Sequence, residues 1–482
     1  MMSLLNEKKP SLLCSVRFWL ALLCFFLNGI HFMQRVNLSV AIVSMASFET
    51  VLNETNSSYT LSNSTDFIPT LDIKKSFSWS KQNQGILLSA IFIGPFFTQI
   101  IGGWVALVVG PKLVLFLSVL FSSILTIITP LSANINFYGL LTVRILLGLS
   151  QGVVTSSINL LWAHWAPPLE RSTLLAISNS GSLIGNALTF LIGGVLCASG
   201  FLGGWPSIFY LTGFLGVIWC LLWILIVSDS PESNKWINAE ESNYIIEKTY
   251  DEVLKKEQKM KIPWIKIFKS KSVLCLILST LCGNFGISLF TTCLPTYMKE
   301  VLDFDIKLNG ELSSIPFISC WIFIIFSGVF SDVLTRSKKL KTIHIRKLCN
   351  SIGFLIPAVT FIGLIFADSN QKALGFSMIL INISFSGFQY GSGYLVNFND
   401  IGGVYSGIIY GVANTIGNFT AFLAPFLVGF ITKNKKTEEW KIVFLISLIV
   451  YVLGAVVFIV FAGGKTEEWA KNSEQELKEQ KN

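Results

Sequence analysis

Two arginines, Arg35 and Arg144, lie well inside long apolar stretches of a 482-residue chain. A guanidinium stays charged in proteins and offers planar, forked donors that match a carboxylate or a phosphate. At the centre of a bilayer it costs at least ~2.5–3.5 kcal/mol on insertion scales. Arg144 opens a series with Gly148, Gln151, Thr155 and Asn159, spaced i, i+4, i+7, i+11 and i+15. Asn382, Ser386, Gln389, Gly393 and Asn397 repeat the spacing farther on. At 3.6 residues per turn each set is one polar, small-residue stripe down an apolar helix. Such stripes also mediate helix packing, an alternative that stays open for the second set. Packing does not call for an arginine. Snorkelling toward the nearer helix end is the other bland account of Arg35 and Arg144.

The acids decide between these accounts. All 28 Asp and Glu residues fall in loops, tails or at the ends of apolar stretches, so none stands mid-stretch to neutralise the arginines. Two guanidinium groups facing one cavity then require a counter-charge from outside the chain, and the expected ligand is a small anion. A membrane proton relay normally uses a buried Asp, Glu or His. His31, one turn before Arg35, is the one candidate, with coupling and packing equally open to it.

The elements that hold these residues follow from composition. The chain is 52% hydrophobic and 13% charged, with mean hydropathy +0.63, against about 25% charged for a soluble domain. This excludes a soluble enzyme, a disordered chain and a disulfide scaffold. Apolar stretches at about 18–46, 83–106, 112–132, 137–162, 174–198 and 207–228, then 273–298, 309–331, 348–367, 373–397, 404–432 and 442–462, predict twelve membrane helices. The first is too long for a signal-peptide core and holds Arg35 and Asn37, so it reads as a retained anchor. The nine cysteines lie mostly within these stretches without a CxxC, and read as small hydrophobes.

The net charge of +8 is not a nucleic-acid signal, because the basic residues lie between the stretches. They favour the side of both termini by more than two to one, which predicts cytosolic termini. Sequons at Asn53, Asn56 and Asn63 fall in an opposite loop, 47–82, where glycosylation would be possible. The Glu- and Lys-rich segment 229–272 reads as a solvated linker. The expected divisions are a tail 1–17, a six-helix half 18–228, the linker 229–272, a second half 273–462 and a tail 463–482.

Gly103 to Lys112, with Gly110 inside it, follows the second stretch, and Gly328, Asp332 and Arg336 follow the eighth. The pair resembles the G-x-x-x-D-x-x-G-x-[RK] loop of the major facilitator superfamily. Leu107 replaces the Asp in the first copy, and the second lacks the later Gly. Arg35-Val36-Asn37-Leu38-Ser39-Val40, Trp165-Ala166-Pro167-Pro168-Leu169-Glu170-Arg171-Ser172, Phe77-Ser78-Trp79-Ser80, Leu294-Pro295-Thr296-Tyr297-Met298-Lys299-Glu300 and Asp400-Ile401 resemble the anion:cation symporter family. That family includes sialin, the vesicular glutamate transporters and the type I sodium–phosphate cotransporters.

The resemblance implies that Arg144 and Arg35 occupy the family's substrate-cavity arginine positions, with Glu170, Arg171 and Asp400 in its gating loops. Gln151 stands where sialin and the glutamate transporters have a Glu tied to proton coupling, and Asn159 stands where they have a His. Gln151 is similar to the phosphate-transporter branch. Gly283 and Asn284 replace an arginine of the glutamate transporters.

The expectation is an all-α integral membrane protein of major facilitator fold, with twelve transmembrane helices in two six-helix bundles. It would not be an enzyme but a secondary active transporter of phosphate, urate or carboxylate-class anions by alternating access. Arg35 and Arg144 would bind the anion; Gln151, Asn159, His31, Asn284 and Gln389 would shape the site. Coupling to sodium or membrane potential is expected, without cofactor or metal. Proton-coupled sialic acid or acidic amino acid transport is the alternative, and a non-transporting membrane receptor a remote one. The partners would be the anion and the bilayer, with no nucleic acid, and the working unit a monomer. The plasma membrane is the expected location, a lysosomal or vesicular membrane the alternative.

Overall fold

The computed structural model describes residues 15–46, 77–167, 170–257 and 262–471. Sequons Asn53, Asn56 and Asn63, most of loop 47–82, most of the N-terminal tail and residues 472–482 lie outside the described residues. Among the described residues, twelve helices are long and apolar enough to cross a membrane. They are α1 (Val16–Ala46), α2 (Lys81–Val109), α3 (Pro111–Ile135), α4 (Phe137–Trp165), α5 (Arg171–Ser199) and α6 (Pro206–Ile226). The second six are α7 (Lys271–Glu300), α8 (Ile306–Arg336), α9 (Thr342–Phe366), α10 (Lys372–Gly402), α11 (Ser406–Ile431) and α12 (Thr437–Phe461). The end of the bundle holding segment 227–270 is termed the linker side, and the opposite end the far side.

Local chemistry sets the helix ends. The Ser80, Asn136, Ser270 and Asp305 side chains accept from backbone N–H groups of the first turns of α2, α4, α7 and α8. Pro111 and Pro206 occupy first-turn positions of α3 and α6, where a missing N–H costs nothing. Three helices are interrupted: α2 at Ile91–Phe92, α4 at Val153 and α10 at Ser392–Gly393.

One boundary differs from the sequence reading. Gly103 lies within α2, facing Ser156, because Trp104–Val109 contains no helix breaker; the turn comes at Gly110, with φ +98°. Gly328 and Asp332 likewise lie within α8.

The two halves repeat one packing scheme. In the first, α1 packs on α5 and α6, α3 on α4 and α6, and α2 on α4. In the second, α7 packs on α11 and α12, α9 on α10 and α12, and α8 on α10. This is the pattern of two equivalent six-helix bundles. The seam consists of α5 against α8, α2 against α11, and α1 against α7. Outward faces stay apolar: Trp104, Leu107 and Val108 are each about two-thirds exposed, as lipid contact requires.

The seam is tight on the far side. A methyl on Gly85 would stand 2.7 Å from the Gly429 Cα, and one on Gly194 would stand 2.8 Å from the Gly310 Cα. Ser39 Oγ donates to the Thr292 carbonyl at 2.6 Å, joining α1 to α7. Lys81 on α2 pairs with Glu300 on α7. Toward the linker side, Gly407 and Gly411 of α11 face open space, and Thr155 and Asn159 of α4 are exposed. The arrangement is shut on the far side and open on the linker side.

The linker helix Ala239–Glu257 is docked rather than freely solvated. Glu241 accepts from the backbone N–H of Val16 and Arg17 and pairs with Arg17 Nε at 3.0 Å. Arg17 Nη1 reaches Glu170 at 2.7 Å, and its guanidinium lies 5.1 Å from the Tyr244 ring centre. The alternating charges suggested a solvated surface, but Ile245 is fully buried against the first half.

Candidate functional site

The face of α1 that seals the seam at Ser39 continues one turn toward the linker side to Arg35 and another to His31. Arg35 therefore stands directly beneath the far-side closure. Its guanidinium is half-buried, 5.2 Å from the Phe32 ring centre and 5.5 Å from that of Phe92. Phe92 arrives from the break in α2, where Gly148 of α4 lets the α2 backbone approach closely enough that a methyl would meet Ile91 O at 2.2 Å. The Arg35 side chain forms no hydrogen bond or ion pair with any described residue.

Arg144 is held differently. It is 1% exposed, with Nη2 donating to the Arg35 carbonyl at 3.0 Å. Its Nη1 lies 3.4 Å from Gln34 O and 3.5 Å from Asn37 Oδ1, at the edge of hydrogen-bonding range. The sequence placed both guanidinium groups in one open cavity. The structure withdraws Arg144 into the α1–α4 interface, where carbonyl and amide oxygens supply partial negative charge and no described carboxylate does. Of the pair, Arg35 is the more accessible.

Gln151 joins this group: its Nε2 lies 3.3 Å from the His31 carbonyl. Five buried polar atoms here lack a partner: His31 Nε2, Gln34 Oε1, Arg35 Nε, Arg144 Nε and Gln151 Oε1. Buried polar groups are ordinarily bonded, and a cluster left unsatisfied is high in energy unless a polar ligand enters. The nitrogens of this set, on two guanidinium groups and an imidazole, suit an anion, while the Gln34 and Gln151 oxygens are acceptors that suit a hydroxyl or N–H. Asn159 is exposed on α4, two turns beyond Gln151 toward the linker side. Asn284 is half-buried on α7 and faces Gly417 of α11.

Gln389 departs from this set. It is fully buried, donates through Nε2 to Gly353 O at 2.6 Å, and has no hydrogen bond to either arginine. Two of its stripe mates turn the same way, Asn382 donating to Pro357 O and Thr360 Oγ1 and Gly393 packing on Asn350, whereas Ser386 lies against Cys320 of α8 and Asn397 donates to Gly463 O. Periodicity identified the polar face of α10, and at Asn382, Gln389 and Gly393 that face meets α9.

The loop residues form a second tier on the linker side. Lys112 N donates to Asp229 Oδ1 at 2.8 Å, and the same carboxylate crowds Gly110. Asp229 thus brings an acid to a loop where Leu107 replaces the motif's Asp. Arg171 Nη2 lies 3.4 Å from Ala166 O. Asp400 pairs with Arg346 at 2.8 Å, and Arg346 also donates to Ser331 Oγ at 3.0 Å. The neighbouring Asp332 is exposed and makes no ion pair among the described residues.

Sequence reasoning missed Phe32 and Phe92 beside Arg35, the Ser39–Thr292 seal, and a bridge across the seam from α2 to α11. In that bridge Gln99 Oε1 of α2 accepts from Asn414 and Asn418 of α11 at 3.3 and 3.1 Å. Polar residues deep in apolar helices were the available signal.

Residues 55–425 match the family model described as Major Facilitator Superfamily. The chain is 34% identical to sialin of Ovis aries over 464 residues, covering 96% of this chain and 92% of that protein. It is 33% identical to vesicular glutamate transporter 2 of Bos taurus over 447 residues, covering 92% and 74%. Among solved structures, a D-xylose-proton symporter superposes with TM-score 0.70 at 16% identity, covering 93% of this chain and 99% of that one. A bacterial homolog of the human lysosomal transporter Spinster, inward-facing and unoccupied, superposes with TM-score 0.68 at 15% identity, covering 92% and 96%. These relatives are membrane transporters, not enzymes. The chain belongs to the major facilitator superfamily and, within it, to the anion:cation symporter family that contains sialin and the vesicular glutamate transporters.

Proposed function

We propose that this protein is a secondary active transporter of small anions, phosphate or organic, working by alternating access between its two halves. The observation that carries this reading is Arg35: a half-buried guanidinium beneath the far-side seal, with no carboxylate or hydrogen-bond partner among the described residues. An anion entering from the open linker side would satisfy Arg35 and the unpaired Arg144 Nε, and the Gln34 and Gln151 amide oxygens would take a hydroxyl or N–H of the cargo. Arg144, fixed on the Arg35 carbonyl, would hold α1 in place and add long-range positive potential.

Coupling would be to sodium or membrane potential, since Gln151 cannot carry a proton. A second reading, proton coupling, is favoured by one observation: buried His31 has an unpartnered Nε2 beside the site. With the excess of basic residues on the linker side, that side would be cytosolic. The plasma membrane, a monomeric working unit and glycans on Asn53, Asn56 and Asn63 complete the proposal.

The test is uptake of radiolabelled phosphate, urate, sialate and glutamate into proteoliposomes under separate sodium, pH and voltage gradients. Accumulation of an anion under a sodium or voltage gradient supports the reading. Accumulation under a pH gradient alone moves the coupling to the proton. Binding without accumulation identifies a receptor.

A further inference from the structure

On the linker side the two halves differ in how their charges are met. In the first half, Arg17 is engaged by Glu170 and Glu241. In the second half, Arg336, Lys338, Lys339 and Lys341 fall together in the turn between α8 and α9, and Lys266, Lys269 and Lys271 surround the start of α7. All seven are exposed, and none of their side chains forms a hydrogen bond or ion pair with any described residue.

The two basic groups adjoin. After α12 the chain crosses between them, Gly463 packing on Ser272 of α7 and Gly464 on Ile343 of α9. Ser272 directly follows Lys271, Ile343 lies two residues beyond Lys341, and exposed Lys465 follows Gly464. The result is one basic rim. Its acids, Asp332, Glu467 and Glu468, are too few to neutralise it, and Asp400 is taken by Arg346.

Beside these cations lies an apolar face. Residues Trp264–Lys269 form a short helix ahead of α7. Ile267 is buried against the second half, yet Ile265 is 72% exposed, and Trp264 and Phe268 are each 44% exposed with their rings stacked at 6.2 Å. At 3.6 residues per turn, the order around this helix is docked Ile267, then Trp264, Phe268 and Ile265, then Lys269 and Lys266. Protein, acyl chain and headgroup would be met in that order by a helix lying in a membrane interface. The depth agrees. α7 has 30 residues and is about 45 Å long, the thickness of a bilayer with its headgroups, which sets Lys271 at headgroup level.

We propose that this rim is a docking surface for anionic phospholipids of the leaflet it faces. Headgroup oxygens would lie on the lysines, and acyl chains against Trp264, Ile265 and Phe268. A free anion would use the charges and leave the apolar arc in water; a zwitterionic lipid would cover the arc and bring each lysine as much repulsion as attraction. The cytosolic leaflet is the one rich in anionic lipid, and the linker side is the one proposed to face it. The surface stands apart from Arg35 and is independent of what the central site carries.

The experiment measures thermal stabilisation of the full-length purified protein in neutral detergent by dioctanoyl phosphatidylserine, dioctanoyl phosphatidylcholine and glycerophosphoserine, each titrated to give an apparent affinity. The serine lipid should bind at least about tenfold tighter than either of the others. Lys266→Gln, Lys269→Gln and Lys271→Gln combined should lower the serine-to-choline ratio at least about fivefold. Arg336→Gln, Lys338→Gln, Lys339→Gln and Lys341→Gln combined should do the same. Lys266→Arg, Lys269→Arg and Lys271→Arg combined keep the charge and should keep the ratio, which separates recognition from misfolding. Equal affinity for the two lipids, or a ratio unmoved in both glutamine variants, overturns the proposal. Glycerophosphoserine binding as tightly as the serine lipid overturns it too, since the rim would then be a site for soluble anions.

Discussion

Lys81 and Glu300 meet across the two halves at the far side, on α2 and α7, in an ion pair almost closed to solvent. Glu300 also accepts a hydrogen bond from Trp440 Nε1 at 3.2 Å, which fixes the carboxylate on the second half. Opening toward the far side must separate this pair, so its strength biases the transporter toward the linker-open form.

Glu300→Gln is expected to weaken the far-side closure, because removing one member of a buried pair leaves the other uncompensated, at about 3–5 kcal/mol. A cysteine at Ser39, one turn beyond Arg35, reports it. Labelling by an impermeant maleimide from the far side should rise at least tenfold in Glu300→Gln. The charge swap Lys81→Glu with Glu300→Lys should restore protection. Unchanged labelling in the single variant would show that the pair does not gate.

Gly85→Ala should act on the same closure through sterics alone. The added methyl would stand 2.7 Å from the Gly429 Cα, backbone that cannot move aside independently. The variant should reach the membrane yet lose most transport, with the Ser39→Cys reporter labelled as in Glu300→Gln. Gly411→Ala is the control, since its methyl would enter open space.

Glu241→Ala removes the acceptor for two backbone N–H groups at the start of α1 and for Arg17 Nε. Charge-assisted bonds of this kind contribute roughly 1.5–3 kcal/mol each to stability. The variant should melt several degrees lower in detergent, and proteolysis within the linker helix should accelerate. A melting point within one degree of the parent would mean that the linker is not latched to the first half.

The sequence and structure agree best where an element announces itself. Twelve apolar stretches became twelve helices, since length and hydropathy alone fix a membrane span. Arg35 and Arg144 were legible as site residues because a charge inside such a stretch is too costly to persist without a role. Gln389 was not legible. The spacing of its stripe marks a face of α10 but not which neighbour that face meets, and here it meets Gly353. Lys81 and Glu300 looked like ordinary charges at helix ends, because their meeting depends on how two halves dock. Asp229 was hidden for a related reason: the loop it completes lies 117 residues away in sequence. Arg35 and Arg144 look alike in the sequence. Only packing separates one held by α1 oxygens from one left without a partner.

The most direct measurement compares anion uptake by the parent protein with uptake by Arg35→Gln and Arg35→Lys in proteoliposomes containing matched amounts of protein. A glutamine keeps hydrogen-bonding capacity without charge, while a lysine keeps charge without the planar fork. Uptake should fall at least a hundredfold in Arg35→Gln and partly recover in Arg35→Lys, with the protein still monodisperse. Uptake by Arg35→Gln equal to that of the parent would contradict the account, since the half-buried guanidinium would then have no part in holding the cargo.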